Sequence, residues 1–221
     1  MHKVSIPSSA VERGNLMGLE KSIDPAKTAV IAIDFQRFFI DEGQPMANEH
    51  ALDILENANR VNAAVRRTGG LVVFTQHSIA GIDAEPVPTE PGDDVEAALR
   101  PGSPSYEIHP AIEQLPGDVN VVKVQSSPLH PMAGTKLNEI LSEHDIETVI
   151  ITGLVTNGCC ECTARDAFQY GFNVVMATDA TAAMTDEEHN AALLNLAIYY
   201  SQVLSTEEIE HALASSPAEV L

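Results

Sequence analysis

Three cysteines fall within four residues, Cys159, Cys160 and Cys162, and the chain contains no others. Cysteines this close do not reach disulfide geometry easily, and an odd number with no distant partner leaves no bridging framework. A structural zinc site usually draws four ligands from two separated pairs, and no second cysteine pair exists. Two readings stay open at this point. One is a reactive thiol. The other is three small core residues, since free cysteine often packs as a small hydrophobe.

Two further residues give the thiol reading chemical content. Asp34 closes the apolar run TAVIAID, and Lys123 closes the run VNVVK. The stretch GLVTNGCCEC leads from a third apolar run into a helical pattern, which sets Cys159 at a helix N-terminus. The macrodipole and exposed N–H groups there favour negative charge, and a lysine nearby adds to this, so both promote a thiolate. A carboxylate can take the thiol proton and return it to a leaving amine. Backbone N–H groups around Val155 and Cys159 can receive a tetrahedral oxyanion. Each residue also has a plain alternative: Asp34 as a turn cap, Lys123 as a solvated strand end, Gly158 as turn chemistry. Their joint placement at strand ends is what favours a thiol hydrolase.

The elements that must position them alternate. Strands are expected at residues 28–34, 71–76, 119–123, 148–153, 173–178 and 202–204. Helices are expected at 49–68, 135–143, 159–170 and 186–200. Such alternation implies right-handed βαβ units. The fold class is α/β, a Rossmann-like three-layer sandwich with a mostly parallel sheet of six strands, built as one domain over residues 1–221. Ligands of such sheets sit at the carboxyl ends of the strands. Residues 1–27 read as an irregular arm, suited to packing on a neighbour. Residues 79–118 are rich in proline and acids and lack periodicity, so they read as a lid-like insertion.

Composition narrows the function classes. The net charge is −20 over 221 residues, which argues against nucleic acid and anionic membrane surfaces as partners. No apolar run approaches the ~20 residues of a membrane helix, and the polar start is unlike a secretory signal. A cytoplasmic location follows as the expectation.

Three motifs resemble the isochorismatase-like cysteine hydrolase family, which includes nicotinamidases, N-carbamoylsarcosine amidases, ureide amidohydrolases and isochorismatases. They are DFQRFF from Asp34, KVQSSPL from Lys123, and GLVTNGCCECTARDAFQYGFNVVMATDAT from Gly153. The similarity covers about Thr28 to Thr206. It implies a catalytic triad of Asp34, Lys123 and Cys159, and it favours Cys159 over Cys160. It also implies a cis peptide at Leu154–Val155 that turns the Val155 N–H toward the oxyanion hole beside that of Cys159. Gln36, Phe39, His77, Ser127 and Leu129 become candidate substrate contacts, with core packing an equal alternative for Phe39. Cys162, one helical turn beyond Cys159, is expected in the core. The Asp–x–His metal motif of nicotinamidases is missing, with only His77 and His109 nearby, so no catalytic metal and no cofactor are expected. The thiol favours cleavage of a small amide or ureide in a homo-oligomer, dimer or tetramer. Two rivals stand: an isochorismatase-type vinyl-ether hydrolase, and a non-catalytic binding protein on the same fold.

Overall fold

The computed structural model describes residues 1–79 and 95–215. Its core is a six-stranded sheet in the order β3-β2-β1-β4-β5-β6, with every pairing parallel. The strands are β1 (Thr28–Ile33), β2 (Leu71–His77), β3 (Val119–Lys123), β4 (Thr148–Leu154), β5 (Asn173–Ala182) and β6 (Gln202–Leu204). The helices are α1 (Ser8–Leu16), α2 (Arg37–Ile40), α3 (Ala51–Arg67), α4 (Val95–Ala98), α5 (Leu137–Glu143), α6 (Glu161–Gln169), α7 (Asp186–Tyr199) and α8 (Thr206–Ser215).

The strand sequences are apolar on both faces because helices cover both faces. Along β1, Val30 and Ala32 pack with Ile54, Ala58, Val61 and Val65 of α3 and with Ile209 and Leu213 of α8. Their neighbours Ala29, Ile31 and Ile33 join Leu137 and Leu141 of α5, Ala164 and Ala167 of α6, and Leu193 and Leu196 of α7. This two-residue alternation is the pleat seen from its two sides. Thr185 and Glu188 form a capping box that starts α7.

The strand order turns outward in both directions from the β1–β4 pair, which is the topological switch point. There the two backbones nearly touch. Gly153 has φ of +113°, and a Cβ on it would lie 2.0 Å from the Ile33 carbonyl oxygen, so no other residue fits.

The N-terminal arm differs from expectation. Residues 8–16 form a helix, α1, that packs on α7 of the same chain. His2 and Lys3 bond to Asp186, and Ser5 to Asn190. The expected insertion lies partly outside the described residues. Its later portion is stitched to the end of β1: Arg37 N–H donates to Glu107 O, Phe38 N–H to Ser105 O, and His109 N–H to Phe35 O. Among the described residues no helix is long and apolar enough to cross a membrane.

Candidate active site

The carboxyl ends of β1, β3 and β4 bring Asp34, Lys123 and Cys159 together. Asp34 is the first residue past β1 and adopts φ of +50°, a left-handed conformation that aspartate tolerates better than most residues. Thr75 on β2 holds it at two points. The Asp34 N–H donates to Thr75 Oγ1 at 3.1 Å, and the Thr75 hydroxyl donates to Asp34 Oδ1 at 2.6 Å. Oδ2 stands 2.8 Å from Lys123 Nζ and is otherwise without a hydrogen-bond partner. Both charged side chains are fully buried. The same ammonium lies 3.3 Å from Cys159 Sγ, 3.1 Å from Gln125 O and 3.4 Å from His77 Nδ1.

Cys159 belongs to a tight turn, Thr156–Cys160, that leads into α6 rather than to a regular first helical turn. Gly158 takes φ −124° and ψ −108° inside it. The Val155 carbonyl accepts from Gly158 N–H at 3.0 Å and from Cys160 N–H at 3.3 Å, and so closes the turn. The Leu154–Val155 peptide is cis, as the family resemblance implies.

The electrostatics differ from the sequence reading in one respect. Burial and the Asp34 charge push the Cys159 thiol up to about 12, and Lys123 opposes them without prevailing. The helix end and the lysine therefore do not give a standing thiolate. The resting site holds a neutral thiol beside an ion pair. Burial alone would lower the Lys123 pKa, but the Asp34 carboxylate beside it outweighs burial and the ammonium is held above its ordinary value. Burial and then Lys123 lower the His77 pKa, so its ring is neutral.

The other predicted contacts fall in different places. Gln36 is buried with its amide fully engaged. It donates to Tyr106 O at 3.0 Å and to His77 O at 3.2 Å, and accepts from His77 N–H at 2.7 Å. It clamps the β1 and β2 ends together. Phe39 is half-buried, edge-on to Phe38, and packs against two core clusters. Leu129 lies in the core beneath α5, 1% exposed. Ser127 is buried and its Oγ accepts from Leu129 N–H at 3.2 Å. His77 alone of this set reaches the triad. Cys160 is buried, whereas Cys162 is exposed, because at that point α6 turns its side chain outward.

Two residues escaped the sequence reading. Tyr106, from the insertion, is buried with an unpartnered hydroxyl, and burial followed by Glu107 and Asp34 raises it to about 12. It is a neutral phenol within the electrostatic reach of Asp34. His189 on α7 is buried and bonds Thr178 O through Nε2 at 3.0 Å. A carbonyl only accepts, so Nε2 carries the proton and Nδ1 accepts from the Thr156 hydroxyl at 2.8 Å. His189 thus ties the Thr156–Cys160 turn to α7. No sequence signal marks Tyr106. The capped start of α7 three residues earlier is the one local hint for His189.

Among the described residues, the three-membered group of metal-type donors is His2, His50 and Asp186, not the triad.

A parallel sheet with an acid, a lysine and a cysteine at the strand ends around its switch point defines an isochorismatase-like hydrolase. The isochorismatase domain model matches residues 28–208, and the chain belongs to that family. It is similar to nicotinamidase 3 of Arabidopsis thaliana, 31% identical over 194 residues, 84% of this chain and 88% of that protein. It is also similar to ureidoacrylate amidohydrolase of Pseudomonas savastanoi pv. phaseolicola, 27% identical over 209 residues, covering 83% and 82%. A cysteine hydrolase structure from Pseudomonas syringae pv. phaseolicola superposes with a TM-score of 0.79 at 26% identity, covering 90% of this chain and 97% of that one.

Proposed function

We propose that the protein hydrolyses the C–N bond of a small amide or ureide through a thioester acyl-enzyme. The observation that carries this reading is the Asp34–Lys123–Cys159 contact, with Nζ 2.8 Å from the carboxylate and 3.3 Å from the sulfur. Relatives named for amide and ureide cleavage support the substrate class.

With the thiol raised to about 12, proton loss has to accompany attack. Asp34 Oδ2, free of other hydrogen bonds, takes the proton as Sγ bonds to the carbonyl carbon. The carbonyl π pair moves onto oxygen, where the Val155 and Cys159 N–H groups receive it. The C–N bond then breaks, and the nitrogen leaves with the proton from Asp34. Water next gives a proton to Asp34 and attacks the thioester carbon. The C–S bond breaks, and the sulfur recovers its proton. Throughout, Lys123 offsets the charge that passes between Asp34 and the sulfur. Tyr106 supplies a neutral donor for a substrate acceptor, and His77 a neutral imidazole beside the ammonium. In this reading the enzyme is a cytoplasmic homo-oligomer.

An ammonia-release screen over small amides and ureides tests the proposal. A turned-over substrate should leave an acyl adduct on Cys159, visible by mass spectrometry of quenched enzyme, and Cys159→Ala should form none. Full turnover by Cys159→Ala would favour the vinyl-ether reading. Absence of turnover on every C–N substrate, with no adduct, would favour a binding protein.

A further inference from the structure

On the β5 side of the sheet, three imidazoles that are far apart in sequence lie in a column, His2 stacked on His189 and tilted by 53° against His50. The rings of His50 and His2 have centroids 4.1 Å apart, and those of His2 and His189 4.3 Å apart and nearly parallel. Asp186 flanks the column, with Oδ1 2.8 Å from His2 Nδ1. One donor atom from each of His2, His50 and Asp186 lies within 4.8 Å of the other two.

We propose that His2, His50 and Asp186 form a binding site for a divalent transition cation of the zinc class. Two imidazoles and a carboxylate are a donor set such ions accept, with a fourth position left for water. Zinc holds these donors at about 2.0–2.2 Å, hence roughly 3.4 Å from one another in tetrahedral geometry. The His2–Asp186 pair, now at 2.8 Å, would open to admit the ion, and any wider separation within the 4.8 Å limit would close.

The surroundings of His2 are compatible with the assignment. A metal-bound histidine usually donates its other ring N–H to a backbone carbonyl, which fixes the tautomer. His2 Nε2 has the Ala183 carbonyl at 3.1 Å, and the Ala183 N–H also at 3.1 Å. Either tautomer is therefore served. With Nε2–H on the carbonyl, Nδ1 turns its lone pair toward Asp186 and a cation. With Nε2 accepting from the N–H, Nδ1–H donates to Asp186 and no cation is needed. Asp53 Oδ2, 3.7 Å from His50 Nδ1, is ion-paired with the Met1 α-ammonium, so its charge is already offset and the ligating charge comes from Asp186. The His2 ring is almost fully buried, while His50 and Asp186 are partly exposed and give an ion a way in. A bound ion would fasten residues 1–7 to the heads of α3 and α7. Through His189 it would adjoin the turn that carries Cys159.

Chelator-stripped protein dialysed against a micromolar zinc buffer tests the site. The expected result is one zinc per chain and a raised Tm. His50→Ala and Asp186→Asn should each weaken binding by about 100-fold or more and lose the Tm rise, with an unchanged circular dichroism spectrum. Cobalt(II) is the second probe, since a histidine–carboxylate site gives ligand-field bands without a sulfur-to-cobalt charge-transfer band. No zinc retained by the wild type would overturn the proposal. So would wild-type zinc affinity in a folded His50→Ala, or a cobalt spectrum showing sulfur ligation. His50→Ala is the deciding variant should His2→Ala fail to fold.

Discussion

The two polar clusters at the carboxyl edge of the sheet contrast in how well their groups are satisfied. Around His189 every nitrogen has a partner and the ring is neutral, held down to about 4 by burial and then by His2. Around Asp34 a buried carboxylate oxygen has the Lys123 ammonium, 2.8 Å away, as its one partner among the described residues, and the neighbouring thiol keeps its proton. Satisfied clusters fix geometry, whereas a cluster with an open acceptor next to a held proton is prepared to move one. The first serves the second, because the Thr156 bond from His189 holds the turn on which Cys159 sits.

Substitutions can break this comparison, and the largest effect should come from the sulfur. Cys159→Ala should lower kcat by about 10⁴-fold or more with the fold intact, checked by steady-state kinetics and circular dichroism. Lys123→Met should cost about 3–5 kcal/mol in urea denaturation, because it strands the buried Asp34 charge. Adding Asp34→Asn to Lys123→Met should return most of that stability but no activity. If Lys123→Met were as stable as wild type, the pair would not be the buried ion contact described.

His189 should act as a positioning residue. Its ring does not face the triad, so His189→Ala should lower kcat by roughly tenfold while leaving KM within a few-fold, as expected for a slightly misplaced nucleophile. Thr156→Val should copy the effect and Thr156→Ser should rescue it. The pH dependence carries a sign. The folded His189 pKa lies below its ordinary 6.5, so the unfolded chain binds more protons between about 4 and 6.5. The stability it contributes is present above 6.5 and is lost as pH falls toward 4, amounting to about 3 kcal/mol. Melting curves from pH 7 to 4 should therefore fall less steeply in His189→Ala. The smallest effect is expected from Tyr106→Phe, a few-fold rise in KM without change in kcat; no change at all would remove Tyr106 from the pocket.

Most of the sheet was legible in the chain because each strand is an apolar run with a turn signal behind it. The meeting of Asp34, Lys123 and Cys159 was legible for a related reason, since Asp34, Lys123 and the turn before Cys159 each end such a run. The helix α1 was missed because its burial is confined to Ala10 and Gly14. The helix α8 follows directly on a three-residue strand and was missed although Thr206, Ile209 and Leu213 bury one face at helical spacing. Gln36 and Leu129 were misplaced because a motif position says nothing of where a side chain points. Gln36 spends its amide between β1, β2 and Tyr106, and Leu129 turns into the core under α5. The histidine column could not be read at all, since residues 2, 50 and 189 meet only after folding.

The cysteine cluster itself has a practical consequence. Thiol reagents attack the deprotonated sulfur and need access to it. Cys160 is sealed in the core, Cys159 is half-buried and its thiol is pushed up to about 12, and Cys162 is exposed although partial burial and Glu161 raise its thiol too. A footprinting reagent at neutral pH should therefore mark Cys162 ahead of Cys159, the proposed nucleophile. A labelling stoichiometry of one would then point to the wrong atom, and an alkylation assay becomes informative in a Cys162→Ser background, where substrate protection can report on Cys159 alone.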